Sequence, residues 1–417
     1  MAIARPLRIL LAGGILLTLF LFYNLSKSPR SLVKLVDRYD NGLKHDPLAD
    51  PTGEPEGHLW RATGDAYAPD NPNSSRINAT LLSLVRNEEL DQLIMTMKEL
   101  ERTWNSKFNY PWTFFNDQPF SDEFKKRTQA ETKAKCNYEL VPKEHWDAPD
   151  WISMDLYSAS VDLLKEKNVQ YSGKISYNKM CRWNSGMFYR HPALANAQYY
   201  WRVEPNVHFF CDVDYDVFRY MQDNNKTYGF TINLYDSPES IESLWPETVK
   251  FIAAHPEYLH TNNAMNWLVD GKQRPIHNQK ANGYSTCHFW SNFEIGDLSF
   301  FRGKAYEEYF NHLDRAGGFF YERWGDAPVH SIGLGLFEDK NKIHWYVFQG
   351  HSTSFQKTVS HYTLLRFRDI GYNHIPYYNC PNSPKCKGCT PAQFYAGEEF
   401  LRLEDCRPNW FKYVGTG

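Results

Sequence analysis

Carboxylates that follow aromatic or apolar runs are the residues best placed to do chemistry in this sequence. Glu204 follows the run at 199–203, and the triplet Asp212-Val213-Asp214 comes shortly after it. Carboxylate oxygens bind hard divalent cations, and such a cation can offset the negative charge of a departing diphosphate. The pattern predicts a cation site at the end of a strand, with either Glu204 or the acidic triplet as its ligand.

Three further side chains have surroundings that suit chemistry. Glu294 lies among aromatic residues, where a carboxylate is partly desolvated and its pKa is tuned, although an acid at the start of a helix would look the same. Asp326 completes a Trp-Gly-Asp step before a helical pattern, where it can face sugar hydroxyls. His374 stands near the C-terminal cysteines, and a lone histidine is typical of a structural role.

The elements that position these groups begin with a strand, a helix and a second strand. The apolar run at 78–85 ends in Arg86, and the run at 110–116 ends in Asp117. This order predicts a Rossmann-like sheet, in which ligands bind at the carboxyl ends of the strands. We expect Arg86 to meet a phosphate and Asp117 a nucleoside; the alternative is that both are solvated loop residues.

Composition limits the classes of partner. The 417 residues include 46 basic and 49 acidic side chains, a balance that gives no reason to expect nucleic acid or an anionic membrane surface as a partner. Aromatic residues make up 16% of the chain, which suits stacking on sugar rings but also suits a large aromatic core.

The N-terminal quarter has the organisation of a membrane-anchored protein. Residues 9–26 form an uncharged, mostly apolar stretch of about the minimum length for a membrane span. No small-residue cleavage pattern follows, so we predict a short tail at 1–8, an uncleaved anchor at 9–26, a polar stem at 27–75 and a globular part at 76–417, with the orientation left open by the charges on both sides of the anchor. Sequons at Asn73, Asn78 and Asn225 fit a luminal location.

The chain has an even number of cysteines. In an oxidising lumen this predicts disulfides, with connectivity open, whereas the Cys-x-x-Cys at 386–389 could instead bind zinc. The candidates are Cys136, Cys181, Cys211, Cys287, Cys380, Cys386, Cys389 and Cys406.

Four long motifs carry a resemblance to a known family. They are YNKMCRWNSG at 177–186, RVEPNVHFFCDVDYDVFRYM at 202–221, HFWSNFEIGDLSFFR at 288–302 and GGFFYERWGDAPVHSIGLGLF at 317–337. The sequence resembles the fungal Golgi α-1,2-mannosyltransferases of the Kre/Ktr/Mnt type, glycosyltransferase family 15. The match covers roughly 76–345 and 367–406.

The resemblance implies a GT-A-like, Rossmann-type α/β fold, in which one nucleotide-sugar-binding domain is built on a mixed central sheet. It implies a single-pass type II Golgi membrane protein with a luminal catalytic domain, which transfers mannose from GDP-mannose with retention of configuration. Manganese is the implied cofactor, and the implied acceptors are mannose residues on O-linked or N-linked glycans of glycoproteins.

Residue by residue, the resemblance places the metal ligands at Glu204 and His374. This moves the metal away from the acidic triplet, and Asp212 and Asp214 become residues that help to hold the site.

The family's proposed nucleophile falls on Glu294, which would either form a mannosyl-enzyme or stabilise oxocarbenium-like charge. Tyr177 matches a tyrosine of the active-site cleft, and Asp326 matches the acid of the Trp-Gly-Asp motif. Two other functions stay open: a glycosidase that uses paired carboxylates, and a member of the same fold that binds glycans without turnover.

One segment departs from the family pattern. Residues 346–367 lie between the Ile-His-Trp at 343–345 and the Asp-Ile-Gly-Tyr at 369–372, which are almost adjacent in the family. The segment is either a surface loop just before His374 or a retained intron that the natural protein lacks, and sequencing of the transcript would separate the two.

Overall fold

A mixed seven-stranded sheet is the centre of the computed structural model, which describes residues 76–346 and 370–414. The strand order is β10-β6-β9-β4-β1-β2-β3. Strands β1 to β4 are parallel to one another, and β9 runs antiparallel to both of its neighbours. The strands are β1 (Ala79–Leu84), β2 (Trp112–Asn116), β3 (Cys136–Leu140), β4 (Tyr199–Val203), β6 (Tyr228–Phe230), β9 (Phe293–Asp297) and β10 (Ile343–Trp345). The predicted mixed α/β sheet is thus confirmed.

Alternate residues of each strand enter two different cores. Because successive side chains of a strand point to opposite faces, Leu81 and Trp201 pack into one core while Leu82 and Tyr200 pack into the other. Arg202 follows Trp201 and therefore projects to the Tyr200 face. A charged side chain on such a strand needs partners on that face.

Helices cover both faces of the sheet. Helices α1, α3 and α7 pack on the Trp201 face, and α5, α6, α8, α12 and α14 pack on the Tyr200 face. The helices are α1 (Leu90–Leu100), α2 (Ser106–Phe108), α3 (Asp122–Ala130), α4 (Lys143–Trp146), α5 (Met154–Glu166), α6 (Ile175–Arg182), α7 (Val217–Asp223), α8 (Leu244–Ala254), α9 (Met265–Leu268), α10 (Pro275–Lys280), α11 (Leu298–Phe301), α12 (Lys304–Ala316), α13 (Gly318–Tyr321), α14 (Asp326–Phe337) and α15 (Arg407–Val414).

A small sheet brings the C-terminal region to the end of β4. Its order is β12-β11-β5, where β5 is His208–Phe209, β11 is Tyr372–His374 and β12 is Tyr377–Asn379. A two-stranded sheet of β7 (Asn233–Tyr235) and β8 (Cys287–Phe289) lies beside the start of β9. The antiparallel pairing of β11 with β5 explains how residues far apart in sequence meet.

Six of the eight cysteines form disulfides. The bonds are Cys211–Cys386, Cys287–Cys406 and Cys380–Cys389. Each half of the Cys-x-x-Cys therefore has a disulfide partner, so disulfides rather than zinc are confirmed there.

The prediction that all eight cysteines pair is wrong for two of them. Cys136 and Cys181 are free and buried, and they belong to the two cores on opposite faces of the sheet, so they cannot meet. Burial raises the pKa of the Cys136 thiol to about 12, and burial also raises that of Cys181. Both thiols are therefore protonated, unreactive core groups.

Several predictions fall on residues 1–75, 347–369 or 415–417, which lie outside the described residues. These include the tail, the anchor, the stem and most of the segment 346–367. Within the described residues, no helix combines the length and the apolar character that crossing a bilayer requires. Tyr346, the first residue of that segment, is buried, and its backbone N–H donates to Phe230 O over 2.9 Å.

Removal of the Cys287–Cys406 disulfide should reduce stability more than removal of the Cys380–Cys389 disulfide. Cys287–Cys406 spans 119 residues and Cys380–Cys389 spans 9. Because a longer loop constrains the unfolded chain more, we expect Cys287→Ser with Cys406→Ser to cost about 5 kcal/mol, and Cys380→Ser with Cys389→Ser about 3 kcal/mol. Urea unfolding of both double variants measures the difference, and a larger loss in the short-loop variant would contradict it.

Candidate active site

Arg202 lies at the centre of three carboxylates. Its Nε donates to Glu204 Oε1 over 2.6 Å, and its Nη1 donates to Asp326 Oδ2 over 2.5 Å. Nη1 also lies 3.9 Å from Glu294 Oε1. Burial acts to lower the pKa of Arg202, but the charges of Glu204, Asp326 and Glu294 raise it well above its ordinary value. The guanidinium is a permanent positive charge that holds together acids from three chain segments.

The register of β4 and β9 makes the contact between Arg202 and Glu294 possible. The two residues lie directly opposite each other in the antiparallel pair, so their side chains project to the same face of the sheet. Two residues further along, Gly296 lies opposite Tyr200, and a Cβ on that glycine would lie 2.6 Å from the Tyr200 ring. Glycine therefore leaves room for an aromatic ring beside the acids.

Asp326 is the first residue of α14 and is buried. Besides Arg202, its Oδ2 accepts a 2.6 Å hydrogen bond from the Ser291 hydroxyl. Burial acts to raise the pKa of Asp326, but Arg202, His330 and Ser291 lower it overall. The N-terminus of a helix also favours a negative charge, so this carboxylate is ionised at neutral pH.

Glu294 is the most deeply buried of the three acids, with 1% of its side chain exposed. Its Oε2 accepts a hydrogen bond of 2.9 Å from the Tyr228 hydroxyl and lies 2.9 Å from His330 Nδ1. Both contacts are made by Oε2, so Oε1 is left on the Arg202 side of the carboxylate.

Strand pairing brings β11, which ends at His374, beside the chain that follows Glu204. Asn373 lies opposite His208 in the β5–β11 pair, so His374, the last residue of β11, comes beside the turn that follows Glu204. The His374 ring stacks on Trp290 with ring centroids 5.3 Å apart. The pairing thus places the two residues that the resemblance assigns to a metal in neighbouring segments, and their role as ligands stays a prediction.

Asn292 provides a test of whether His374 fits a metal. Its Nδ2 lies 2.5 Å from His374 Nδ1, and its buried Oδ1 has no hydrogen-bond partner among the described residues. A flip of the Asn292 side-chain amide exchanges Oδ1 and Nδ2, so that Oδ1 accepts a hydrogen bond from Nδ1–H of His374. Nε2 then keeps its lone pair, which is the arrangement of a metal-binding histidine oriented by a neighbour.

The neutral state of His374 also fits a cation, whereas protons compete for Glu204. Burial, together with Arg202 and His208, lowers the pKa of His374 to about 4, so the ring is neutral. Burial, opposed by Arg202, raises the pKa of Glu204. Across 76–346 and 370–414, no three His, Cys, Asp or Glu side chains form a closed metal site. Two chain ligands instead suit a cation that also binds phosphate oxygens.

Tyr177 lies on α6 beside this cluster. The Arg323 guanidinium lies 5.9 Å from the centroid of its ring, and the Tyr171 ring stacks on it at 4.4 Å. Burial raises the pKa of Tyr177 well above its ordinary value, and nearby Asp326 adds to the rise. Its hydroxyl therefore stays protonated and can donate a hydrogen bond.

Arg86 and Asp117 lie at the carboxyl ends of the neighbouring parallel strands β1 and β2, as the sequence predicts. Arg86 is exposed and pairs with Glu89 at 3.0 Å. Its pKa is raised, mainly by Glu89 and to a smaller extent by Asp117. Both side chains are at the edge of the sheet where a nucleotide would bind, and their roles stay predictions.

Asp212 and Asp214 do not join the cluster around Arg202. Asp212 Oδ1 lies 3.7 Å from Arg102 Nη1, and Asp214 forms ion pairs of 3.0 Å with Lys107 and 2.6 Å with Lys385. Both carboxylates are about half exposed. We find them in surface ion pairs that join the Cys211 and Cys386 segments to the segment that follows α1, and the substrate-binding role predicted for them is without support from the described contacts.

Sequence reasoning missed several residues of the cluster. Arg202 and His330 carry a recognisable signal, because each is a polar residue inside an otherwise apolar strand or helix. Tyr228, Ser291 and Asn292 carry none, since short polar residues and tyrosines are common near strand ends.

Comparison with known proteins gives a consistent result. The family profile described as glycolipid 2-alpha-mannosyltransferase matches residues 54–356. The chain is 43% identical over 350 residues to the probable mannosyltransferase KTR4 of Saccharomyces cerevisiae, covering 82% of this chain and 71% of that protein. It is 44% identical to the O-glycoside alpha-1,2-mannosyltransferase omh1 of Schizosaccharomyces pombe, covering 72% and 77%.

Among solved structures, the crystal structure of core-mannan synthase A from Aspergillus fumigatus, in its Mn/GDP form, is 68% identical to this chain. The TM-score is 0.77, and the match covers 90% of this chain and 95% of that chain.

Removal of the Arg202 charge should destabilise the fold. Arg202→Met leaves the surrounding carboxylates buried without their cation, so we expect a loss of about 3–5 kcal/mol in the free energy of unfolding. Arg202→Lys keeps a positive charge but loses the branched guanidinium group that bonds two carboxylates at once. Its free energy of unfolding should therefore lie between that of Arg202→Met and that of the wild type. Urea unfolding measures the losses, with the exposed Arg102→Met as the control. An Arg202→Met variant as stable as the control would contradict the prediction.

Proposed function

The chain belongs to the glycolipid 2-alpha-mannosyltransferase family, and from this premise we propose that it transfers mannose from GDP-mannose to a mannose hydroxyl of a glycan, forming an α-1,2 linkage. The observation that carries the proposal is the cluster in which Arg202 holds Glu204, Asp326 and Glu294 together. The cluster lies at the end of β4, where a Rossmann-like sheet binds its nucleotide.

Mn²⁺ is the proposed cofactor, held by Glu204 and by Nε2 of His374. When bound, it supplies positive charge against the phosphates of the departing GDP. Arg86 would add a second charge at the neighbouring strand end, and Asp117 would contact the nucleoside. This division suits a reaction whose main barrier is the separation of a sugar from a diphosphate, because fixed charges contribute most to such steps.

Glu294 is the proposed reacting carboxylate. Its Oε1 takes no part in the two contacts that hold Oε2, and only 1% of the side chain is exposed to water. Retention of configuration requires this oxygen either to bond the sugar carbon or to stabilise positive charge on it while the acceptor attacks. Asp326 and the Tyr177 hydroxyl would bind sugar hydroxyls beside it.

We further propose the organisation predicted from the sequence. Residues 76–417 form the catalytic domain, 27–75 the stem, 9–26 the anchor and 1–8 the cytoplasmic tail. The protein would then be a Golgi membrane protein that acts on mannosylated glycoproteins. The predicted anchor at 9–26 and the family resemblance of the sequence support this location.

An assay with GDP-mannose and methyl α-mannoside tests the proposal directly. The full-length chain with Mn²⁺ should form an α-1,2-linked disaccharide and release GDP. Binding of both substrates without product would indicate a non-catalytic member of the family. Hydrolysis of a mannoside in the absence of nucleotide would indicate a glycosidase.

Glu294→Gln should abolish mannose transfer while the affinity for GDP stays near that of the wild type. The amide cannot supply the negative charge that the reaction needs, yet it keeps the size of the side chain. Titration calorimetry measures GDP binding, and product formation measures transfer. Glu307→Gln on α12 is the matched control, and turnover near the wild-type rate in Glu294→Gln would remove Glu294 from the chemistry.

Mn²⁺-dependent GDP affinity should fall as the pH is lowered from neutrality through the raised pKa of Glu204. The metal binds the ionised form of Glu204, whose pKa is raised, so protons compete as the pH falls through that value. His374, with a pKa of about 4, stays neutral over this range and contributes little. Calorimetry at several pH values, corrected for protonation of the GDP phosphate measured with Mn²⁺ and GDP alone, should show uptake of one further proton per metal released. Uptake of two further protons would contradict this assignment, and Glu204→Gln should lose the high affinity.

A further inference from the structure

His330 is a buried histidine for which the proposed reaction gives no role. It lies in the middle of α14, between Val329 and Ser331, and its side chain has 0% exposure. Its Nδ1 lies 2.9 Å from Glu294 Oε2, and its Nε2 lies 2.9 Å from the backbone oxygen of Asn184. Both ring nitrogens thus face oxygen atoms.

The partner of Nε2 fixes where one proton lies. A backbone carbonyl can only accept a hydrogen bond, so Nε2 must carry a hydrogen. Nδ1 then faces Oε2 of Glu294, and a 2.9 Å contact between these atoms requires a proton between them. The histidine and the carboxyl therefore share one proton, whichever of the two holds it.

The backbone carbonyl of Asn184 can accept the hydrogen bond from His330 because the chain changes from α-helix to π-helix at this point. Residues Trp183–Met187, directly after α6, form a π-helical turn. Such turns release backbone groups from regular helical bonding and often occur at functional sites. The Phe301 ring, 4.9 Å from the His330 ring between centroids, helps to close this arrangement to water.

We propose that His330 is a positioning residue for Glu294. It holds Oε2, together with the Tyr228 hydroxyl, so that Oε1 is the oxygen presented to the sugar on the Arg202 side. This inference rests on the proposed function, because it assigns a task to Glu294 in mannose transfer. It predicts that loss of the Nδ1 contact slows the chemical step and leaves substrate binding unchanged.

Two substitutions separate the two ring nitrogens. The amide nitrogen of His330→Asn occupies the place of Nδ1 and can still donate to Glu294. That of His330→Gln occupies the place of Nε2 and can still donate to Asn184. Both variants lose the same ring packing. We expect kcat of His330→Asn to exceed that of His330→Gln at least tenfold, with KM for GDP-mannose within about twofold of wild type in both.

A buried histidine outside the cluster provides the control. His191 is also bonded through both nitrogens, to Leu140 O over 3.3 Å and from Ala193 N over 3.2 Å, but only to backbone groups. His191→Asn and His191→Gln should differ little in kcat. If His330→Gln equals or exceeds His330→Asn, or if the losses lie in KM, the positioning role is overturned.

A measurement on the wild-type chain covers the case in which neither variant folds. A crystal structure with Mn²⁺ and GDP should keep Nδ1 of His330 within hydrogen-bond distance of Oε2, and a Glu294 carboxylate turned away from His330 would overturn the proposal. An inactive wild-type enzyme would instead refute the proposed function, and the two failures can therefore be distinguished.

Discussion

One buried positive charge among three carboxylates is the constraint on which the rest of this structure depends. Three acids brought together at the end of a sheet would repel one another. Arg202 offsets this repulsion, because its fork bonds Glu204 and Asp326 and lies close to Glu294. Its pKa is so far above neutrality that this compensation does not depend on pH.

Three different elements of the fold place the charged residues of this cluster next to one another. β4 carries Arg202, the antiparallel β9 places Glu294 opposite it, and α14 begins at Asp326. Because the side-chain period of a strand is two, a slip of β9 by one residue would turn Glu294 into the opposite core. The aromatic packing on both faces of the sheet therefore fixes the strand register, which determines the position of Glu294 as well as the stability of the fold.

Much of this arrangement was predictable from sequence, and the remainder has identifiable physical reasons. Arg86, Asp117 and Glu204 follow strands, and strand ends gather in a Rossmann-like sheet, so their positions followed from local pattern. The role of His374 was predicted from family resemblance alone. Local sequence could not indicate it, because only the pairing of β11 with β5 places this residue beside the segment that follows Glu204. Asp212 and Asp214 have the residue type of metal ligands, but in the structure they form ion pairs with arginine and lysine side chains. The two free cysteines enter opposite cores of the sheet, a separation that their spacing in the sequence does not show.

The late position of His374 has a consequence for biosynthesis. All inner strands of the central sheet precede residue 298, whereas this imidazole and Cys380, Cys386 and Cys389 come from the final 44 residues of the chain. A growing chain can pair its inner strands and bury Arg202 with its acids before His374 leaves the ribosome. If His374 holds the proposed cation, completion of the C-terminal segment and oxidation of its cysteines decide when the folded protein gains that site.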